Sequence, residues 1–140
     1  MMTPLVVSTS RAIEAIDITE RIAAERWPDG FAWLNCPHTT AALLIGESDP
    51  DMLEDYERVA AELFAPYEPF RHHRNDNPNG AAHLVSSFVG TQLLLRVQNG
   101  RLQLGTFQRV IFLELDGPKA TRLVQLESLP VVAPTNTIVS

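Results

Sequence analysis

The part of the sequence that decides the fold is 93-LLLRVQNGRLQL-104, in which an apolar run leads into a polar pair. Asn99-Gly100 is the strongest two-residue signal for a β-hairpin, because both residues tolerate the positive φ angles of a type I′ turn. We therefore predict one strand over Leu93–Val97 and a return strand that carries Leu102 and Leu104. Antiparallel pairing follows directly from this hairpin.

Further strand patterns lie on both sides of the hairpin. Apolar and β-branched residues recur there in short runs, which favours strands over helices. The predicted strands cover residues 3–9, 13–18, 31–36, 41–45, 110–115 and 122 to about 129. Asp116-Gly117-Pro118 predicts the turn that joins the last two of them.

Two helices have clear start signals in the first half of the chain. Asp49 is a good N-cap and Pro50 suits the first helical position, so we predict a helix that begins there and ends near Ala65. Thr19 is placed to cap a shorter helix that runs to about Trp27.

A polar loop and a further helix follow. Residues 66–80 contain three prolines and a run of His, Asn and Asp, which predicts a loop of the kind that commonly carries function. We predict a helix from about Ala81 to Val89, with Asn79 as its N-cap and Gly90 as its stop. The whole pattern indicates a single α+β domain over residues 1–140, with an antiparallel-rich, β-sandwich-like core and two to three helices.

Composition narrows the classes of function. A net charge of −6, with 11 Lys and Arg, gives no general attraction for nucleic acid or anionic lipid. No apolar run approaches the ~18 residues of a membrane span, and the first residues lack the pattern of a signal peptide. We therefore expect no nucleic-acid partner, no membrane partner and a cytoplasmic location. Cys36 is the only cysteine, and a small buried hydrophobe is favoured over a reactive thiol.

Histidines are the first candidates for chemistry. His38 follows a predicted strand, and His83 falls in the first turn of a helix, where the dipole favours the neutral ring. His73 lies in the loop, close enough along the chain to reach His83. Neutral imidazole is a common zinc ligand, so these three histidines predict a metal site. The alternative is that His72 and His73 are part of a solvated loop, because no compact ligand motif is present.

Other polar residues also have two interpretations. Glu47 follows a strand, and we expect it to lie at the same edge as His38. There it would orient a histidine or hold a cation. The alternative is that Glu47 is an ordinary surface residue. Residues 104–108 combine a glycine with Thr106 and Gln108, and alternatively form a simple β-bulge. Arg122 is suited to clamp a phosphate with both arms of its guanidinium, although a surface ion pair is the commoner role.

Several short motifs occur in an order that resembles the YjbQ family. They are His38-Thr39-Thr40-Ala41, Glu47, Asp49-Pro50-Asp51, His73, Asn79, Ala82-His83-Leu84, Asn99-Gly100-Arg101-Leu102, Leu104-Gly105-Thr106-Phe107-Gln108, Glu114 and Asp116-Gly117-Pro118. The resemblance extends from about residue 5 to residue 129. It implies a homotrimer whose polar cluster holds a divalent metal, zinc or magnesium, near a subunit interface.

The resemblance also implies an activity. Members resemble thiamine-phosphate synthases, which join a pyrimidine pyrophosphate to a thiazole phosphate and release pyrophosphate. Two alternatives remain open, a trimeric non-catalytic module that binds a small phosphorylated metabolite, and a metal-dependent hydrolase. The apolar residues 129–132 and the tail after Pro134 are candidates to pack on a neighbouring copy.

The resemblance assigns roles to ten residues. The implied catalytic residues are His38, Glu47, His73, His83 and Arg122, and the implied metal ligands are His38, His73 and His83. The implied substrate-binding residues are Thr39, Thr40, Asn79, Thr106 and Gln108.

Three positions depart from the family pattern. Gly46 stands where an Asn commonly precedes the Glu, and Phe107 replaces a Trp, which conserves packing but loses an indole N–H donor. The segment that begins at Lys119 is longer than the corresponding ending of the family pattern, and only Arg122 matches an arginine of that pattern. A lysine in place of the other arginine lacks the bidentate fork.

Overall fold

The computed structural model describes residues 2–132, apart from the side chains of residues 74 and 75. That part of the chain forms eight strands and three helices. The strands are β1 (Leu5–Val7), β2 (Glu14–Asp17), β3 (Gly30–Asn35), β4 (Ala41–Gly46), β5 (Gln92–Gln98), β6 (Arg101–Leu102), β7 (Arg109–Glu114) and β8 (Arg122–Leu129). The helices are α1 (Thr19–Ala23), α2 (Pro50–Glu62) and α3 (Gly80–Val89). The tail after Pro134 lies outside the described residues.

The strands form two sheets in which every pair is antiparallel. One sheet has five strands in the order β1-β8-β3-β5-β6, and the other has three in the order β2-β7-β4. Glu114 at the end of β7 pairs with Ala41 at the start of β4, and Arg109 pairs with Gly46. The predicted α+β class with antiparallel-rich sheets is confirmed.

The three-stranded sheet is the middle layer of the molecule. One apolar cluster joins it to the five-stranded sheet, with Phe112 and Leu43 facing Leu34 and Val124. A second cluster joins its other face to α2 and α3. Because β7 is buried on both faces, its sequence is a nearly continuous apolar run rather than an alternating one.

The strand predictions succeed where the signal is local. Asn99 and Gly100 have φ angles of 53° and 72°, as a type I′ hairpin requires. The final strand has the predicted bounds, Arg122–Leu129, whereas the first is limited to Leu5–Val7. Leu104 lies outside the return strand, which ends at Leu102.

Of the two helix caps predicted in the first half of the chain, one is confirmed and one is wrong. The Oδ1 atom of Asp49 accepts a hydrogen bond from the Met52 N–H at 3.0 Å, which confirms the N-cap of α2. The prediction that Thr19 caps α1 is wrong, because the Thr19 hydroxyl accepts from the Val110 N–H of β7 at 2.8 Å. In the described residues, no helix is both long and apolar enough to span a bilayer.

Candidate functional site

Most of the predicted site residues lie at one end of the sheet sandwich. We call this the Glu114 end, where β7 ends and β4 and β8 begin, and we call the opposite end of β7 the Arg109 end. His38, Thr39 and Thr40 precede β4, and Arg122 is the first residue of β8.

A buried ion pair occupies the centre of the Glu114 end. The side chain of Glu114 is 0% exposed and that of Arg122 is 7% exposed. The Arg122 Nε atom donates to Glu114 Oε1 at 3.0 Å, and Nη2 donates to Oε2 at 2.5 Å. Nη2 also donates to the Thr40 hydroxyl at 2.9 Å. The pair therefore connects the three-stranded sheet to the five-stranded sheet.

The Glu114 carboxylate has enough donors to remain ionised. Besides Arg122, it accepts from the Thr9 hydroxyl at 2.7 Å and from the backbone N–H groups of Leu115 and Asp116 at 3.0 and 3.2 Å. Burial alone would raise the pKa of Glu114, but the hydrogen bonds from Arg122 and Thr9 hold that pKa below its ordinary value.

This arrangement corrects the prediction for Arg122. The alternative of a surface ion pair is wrong because the pair is buried, and the bidentate contact expected for a phosphate is made to Glu114 instead. Among the described residues, Nη1 of Arg122 has no hydrogen-bond acceptor. It is also not a fully buried atom. Nη1 is thus the one guanidinium nitrogen that makes no hydrogen bond within the described part of the chain.

His38 is fixed by a backbone contact beside the ion pair. Its Nε2 atom accepts from the Leu123 N–H at 2.9 Å, so the neutral ring carries its proton on Nδ1 and acts as a donor there. Burial and the positive charge of Arg122 lower the pKa of His38. The ring lines a cleft of about 360 Å³ together with Thr39 and Ser87.

Cys36 lines the same cleft without adding a reactive group. Its side chain is buried, and burial raises the pKa of the thiol to about 11. The favoured interpretation of Cys36 as a small buried hydrophobe is confirmed.

A second polar group includes a histidine that sequence reasoning passed over. His72 Nε2 lies 2.9 Å from Asn79 Oδ1, and Asn79 Nδ2 donates to Asp116 Oδ2 at 3.1 Å. Since a carboxylate only accepts, Asn79 presents its oxygen to His72, and Nε2 of His72 carries the proton. The rings of His72 and His83 are 4.7 Å apart. The Asp116 N–H binds Glu114, so this group is continuous with the ion pair.

His73 has a structural role instead. Its Nε2 atom accepts from the Gly80 N–H, the first residue of α3, at 3.2 Å, and its ring packs on Phe70. Asn79 is the N-cap residue of α3, as predicted, but its side chain makes no capping hydrogen bond, because it contacts His72 and Asp116 instead. The expectation that His73 reaches His83 is corrected as well, since His72 makes that contact.

The three histidines do not fit a metal site within one chain. No group of three or more His, Cys, Asp or Glu side chains in the described residues is arranged to hold a metal ion. The Nε2 atoms of His38 and His73 already accept backbone N–H groups. The described residues of one chain therefore do not assemble the three-histidine site that the sequence predicted.

Three predicted residues lie at the Arg109 end. Glu47 follows β4, whereas His38 precedes it, so the expectation that they share an edge is wrong. Thr106 and Gln108 are exposed in the turn before β7, where Gln108 Oε1 accepts from the Gly105 N–H at 2.8 Å. The six residues of β4 separate the two ends by about 17–20 Å.

The Arg109 end has an ion-pair network of its own. Asp17 Oδ2 accepts from Arg109 Nε and from the Ser48 hydroxyl, both at 2.7 Å, and Oδ1 accepts from the Thr19 N–H at 2.9 Å. Burial would raise the pKa of Asp17, but the hydrogen bonds from Arg109, Ser48 and Thr19 hold it well below its ordinary value. This network fixes β2, β7 and the residues before α2 in one arrangement.

Four residues of the Glu114 end were missing from the predicted site. They are Thr9, His72, Glu114 and Asp116. A signal existed for Glu114, because it is the only charge within the apolar run 110–115, and a buried charge needs a partner. The other three have no comparable sequence signal.

The fold and the site together define a small α+β protein in which two antiparallel sheets pack face to face and a network of His, Arg and carboxylate side chains lies at one end. The chain belongs to the YjbQ family, because the family model described as "UPF0047 protein YjbQ-like" matches residues 3–130.

Relatives and solved structures agree with this assignment. The UPF0047 protein YugU of Bacillus subtilis is 40% identical over 126 residues, which are 85% of this chain and 92% of the relative. The UPF0047 protein of Archaeoglobus fulgidus is 38% identical over 86% of this chain and 95% of its own length. A hypothetical protein from Aeropyrum pernix has the same fold, with a TM-score of 0.81, 34% identity and coverage of 91% of this chain and 96% of that one.

The buried ion pair gives a stability prediction. We expect Glu114→Ala to lower the free energy of unfolding by about 3–5 kcal/mol, because it leaves the Arg122 charge buried without a partner. Asp55→Ala, which breaks the exposed Arg58–Asp55 pair, is the matched control, with an expected change of about 0–1 kcal/mol. Urea unfolding followed by tryptophan fluorescence measures both changes. Equal, small effects would contradict the central role of the pair.

The Asp17 network gives a prediction about pH. Because the pKa of Asp17 is lower in the folded chain, its contribution to stability is present above its unfolded pKa of about 3.9 and is lost as pH falls further. Asp17→Asn should therefore cost about 2 kcal/mol at neutral pH and progressively less in acid. Urea unfolding of both proteins across a series of pH values tests this, and a difference that does not change with pH would refute it.

Proposed function

We propose that this protein binds a small phosphorylated metabolite at the Glu114 end and acts on it as a thiamine-phosphate synthase-like enzyme. The observation that carries the proposal is the fixed set of donors there. His38, whose Nδ1 is the donor, and Thr39 line the 360 Å³ cleft, and Arg122 directly precedes the residue that holds the His38 ring. Donors held by the fold bind phosphate oxygens without first having to be reorganised.

The reaction needs electrostatic help more than a strong nucleophile. A bond forms between the thiazole nitrogen and the methylene carbon of the pyrimidine, and the bond from that carbon to the pyrophosphate oxygen breaks. Pyrophosphate leaves with the electron pair, so negative charge grows on its oxygens. We assign His38 and Arg122 to stabilise that charge, and Thr39, Thr40 and Asn79 to orient the substrates.

The residues of the Arg109 end reach this site only if they come from a second copy of the chain. Glu47, Thr106 and Gln108 are about 17–20 Å from the Glu114 end of the same chain, which is too far for one small substrate to contact both. If these residues have the roles implied by resemblance, the Arg109 end of a neighbouring chain meets the Glu114 end. This requirement supports a homotrimer whose sites lie between subunits.

The outer face of the five-stranded sheet is suited to such an assembly. Trp33 and Leu94 lie opposite each other on this face, and Leu94 is 57% exposed. The charged side chains that β3, β5 and β8 expose are Arg96 and Glu127, one of each sign. Two copies therefore meet there without repulsion between like charges.

A non-catalytic binding module is the second candidate. Arg122 is neutralised by Glu114, and the Nε2 atoms of His38 and His73 accept backbone N–H groups. These contacts suit a site that recognises a phosphorylated ligand and leaves fewer groups for proton transfer. Calorimetric binding of the two substrates without product formation would favour this candidate over the enzyme.

The shared site predicts complementation between inactive variants. We expect His83→Ala and Gln108→Ala each to lose most of the synthase turnover. Co-expressed as mixed trimers, they should recover about one quarter of it, because random assembly gives one site in four both native residues. The assay measures thiamine phosphate by chromatography, and light scattering verifies the trimer.

Three results would separate the parts of this proposal. No turnover in the parent protein would overturn the synthase, and binding without turnover would leave the binding module. Turnover in the parent protein without recovery in the mixed trimers would place the whole site in one chain. A monomer in light scattering would overturn the shared site.

A divalent metal, zinc or magnesium, also remains a prediction of this proposal. Its ligands would come from more than one chain, and the contact between His72 and His83 makes this pair the better candidate in each chain. We expect plasma mass spectrometry to find about one metal ion per subunit, absent from His72→Ala/His83→Ala and retained in His73→Ala. No metal in the folded parent protein would refute this prediction.

A further inference from the structure

An apolar groove lies between α2 and α3, on the side of the molecule away from the five-stranded sheet. Its volume is about 270 Å³, and its floor is formed by Leu44 of β4 and Leu113 of β7. The walls are formed by Met52, Tyr56 and Val59 of α2, by Leu63 directly after it, and by Val85 and Val89 of α3. The two helices thus leave part of the sheet uncovered.

The rim of the groove exposes large apolar side chains. Val59 and Leu63 are each 47% exposed, and Phe88 beside the groove is 75% exposed. The Phe88 ring packs on the Phe64 ring, with a distance of 5.1 Å between the ring centroids. A contiguous apolar surface rimmed by polar residues is typical of an interaction site.

The charge of the chain is concentrated next to this groove. Residues 47–62 contain seven carboxylates and one arginine, a formal charge of −6, which equals the net charge of the whole protein. The remaining ten acidic and ten basic residues cancel. Asp51, Asp55 and Glu62 recur along one edge of α2, and Asp55 itself lines the groove. α3, on the other side, contains no Asp, Glu, Lys or Arg.

This charge distribution indicates which kind of partner fits the groove. A second copy would bring another segment of charge −6 against the first, and nucleic acid or an anionic membrane would be repelled in the same way. An occupant with apolar side chains for the groove and positive charges for α2 satisfies both requirements. We propose that the α2–α3 groove binds a basic amphipathic helix of another protein.

A helix suits the shape of the site. Met52, Tyr56, Val59 and Leu63 recur at positions i, i+4, i+7 and i+11, so they form one straight apolar row along the groove. A partner helix with apolar residues at the same kind of spacing packs between α2 and α3 and completes the helical layer over the sheet. Its lysines or arginines then lie along the acidic edge of α2.

The test uses the full chain and a labelled model peptide. The peptide is a helix of about 14 residues, with leucines at i, i+3, i+4 and i+7 spacing and lysines elsewhere. We expect fluorescence anisotropy to give a Kd in the micromolar range that weakens about tenfold between roughly 50 and 300 mM NaCl. The same peptide with glutamates in place of lysines should not bind.

Matched variants locate the binding. Asp55→Asn/Glu62→Gln should weaken the lysine peptide about fivefold or more, whereas Glu25→Gln/Asp29→Asn, which removes the same charge away from the groove, should leave Kd unchanged. Val59→Ser/Val89→Ser should abolish binding, and circular dichroism verifies that it remains folded.

Three outcomes would overturn the proposal. They are equal binding of the lysine and glutamate peptides, equal effects of the two charge variants, and an unchanged Kd in folded Val59→Ser/Val89→Ser. A change in oligomeric state on substitution of Val59 and Val89, measured by light scattering, would also overturn it, because the groove would then be a contact between copies of this chain.

Discussion

The arrangement of this protein depends on one buried ion pair, Glu114 with Arg122. Removing two charges from water costs several kcal/mol per ion, and this cost is offset only when the geometry is good and further hydrogen bonds satisfy the buried groups. Thr9, Thr40 and the N–H groups of Leu115 and Asp116 supply those partners. The positions of β1, β4, β7 and β8 at this end are therefore determined together, because each contributes to, or directly flanks, the same hydrogen-bonded group.

The candidate site is an extension of that structural network. His38 is held by the N–H of the residue after Arg122, and Asn79 is held by Asp116, whose own N–H binds Glu114. The orientations of His38 and Asn79 follow from contacts that also hold the sheets together. The same contacts determine which ring nitrogen of His38 carries the proton. A ligand that enters here meets donors that are already fixed, so recognition of negative charge requires little reorganisation.

Sequence reasoning succeeded where a signal and its partner are close along the chain. The Asn99-Gly100 turn, the Asp49 cap and the Gly90 stop depend on a few neighbouring residues. It failed where a distant group competes for the same atoms. The hydroxyl of Thr19 binds β7, Asn79 binds Asp116, and Glu114 is paired with a residue of the other sheet. Likewise, spacing does not distinguish His72 from His73, because the 3-10 turn over Arg71–Asn75 sets which ring faces His83.

The two apolar surfaces of the molecule differ in charge. The five-stranded sheet contributes Arg122 to the buried pair and otherwise exposes Arg96 and Glu127, so its outer face has no net charge from β3, β5 and β8. The uncompensated charge of the chain is left on residues 47–62, at the opposite layer. The distribution of charge therefore opposes contact between copies at α2 and does not oppose it at the sheet face. If both proposals hold, the protein assembles with itself through the sheet face and leaves the α2–α3 groove available to a positively charged partner.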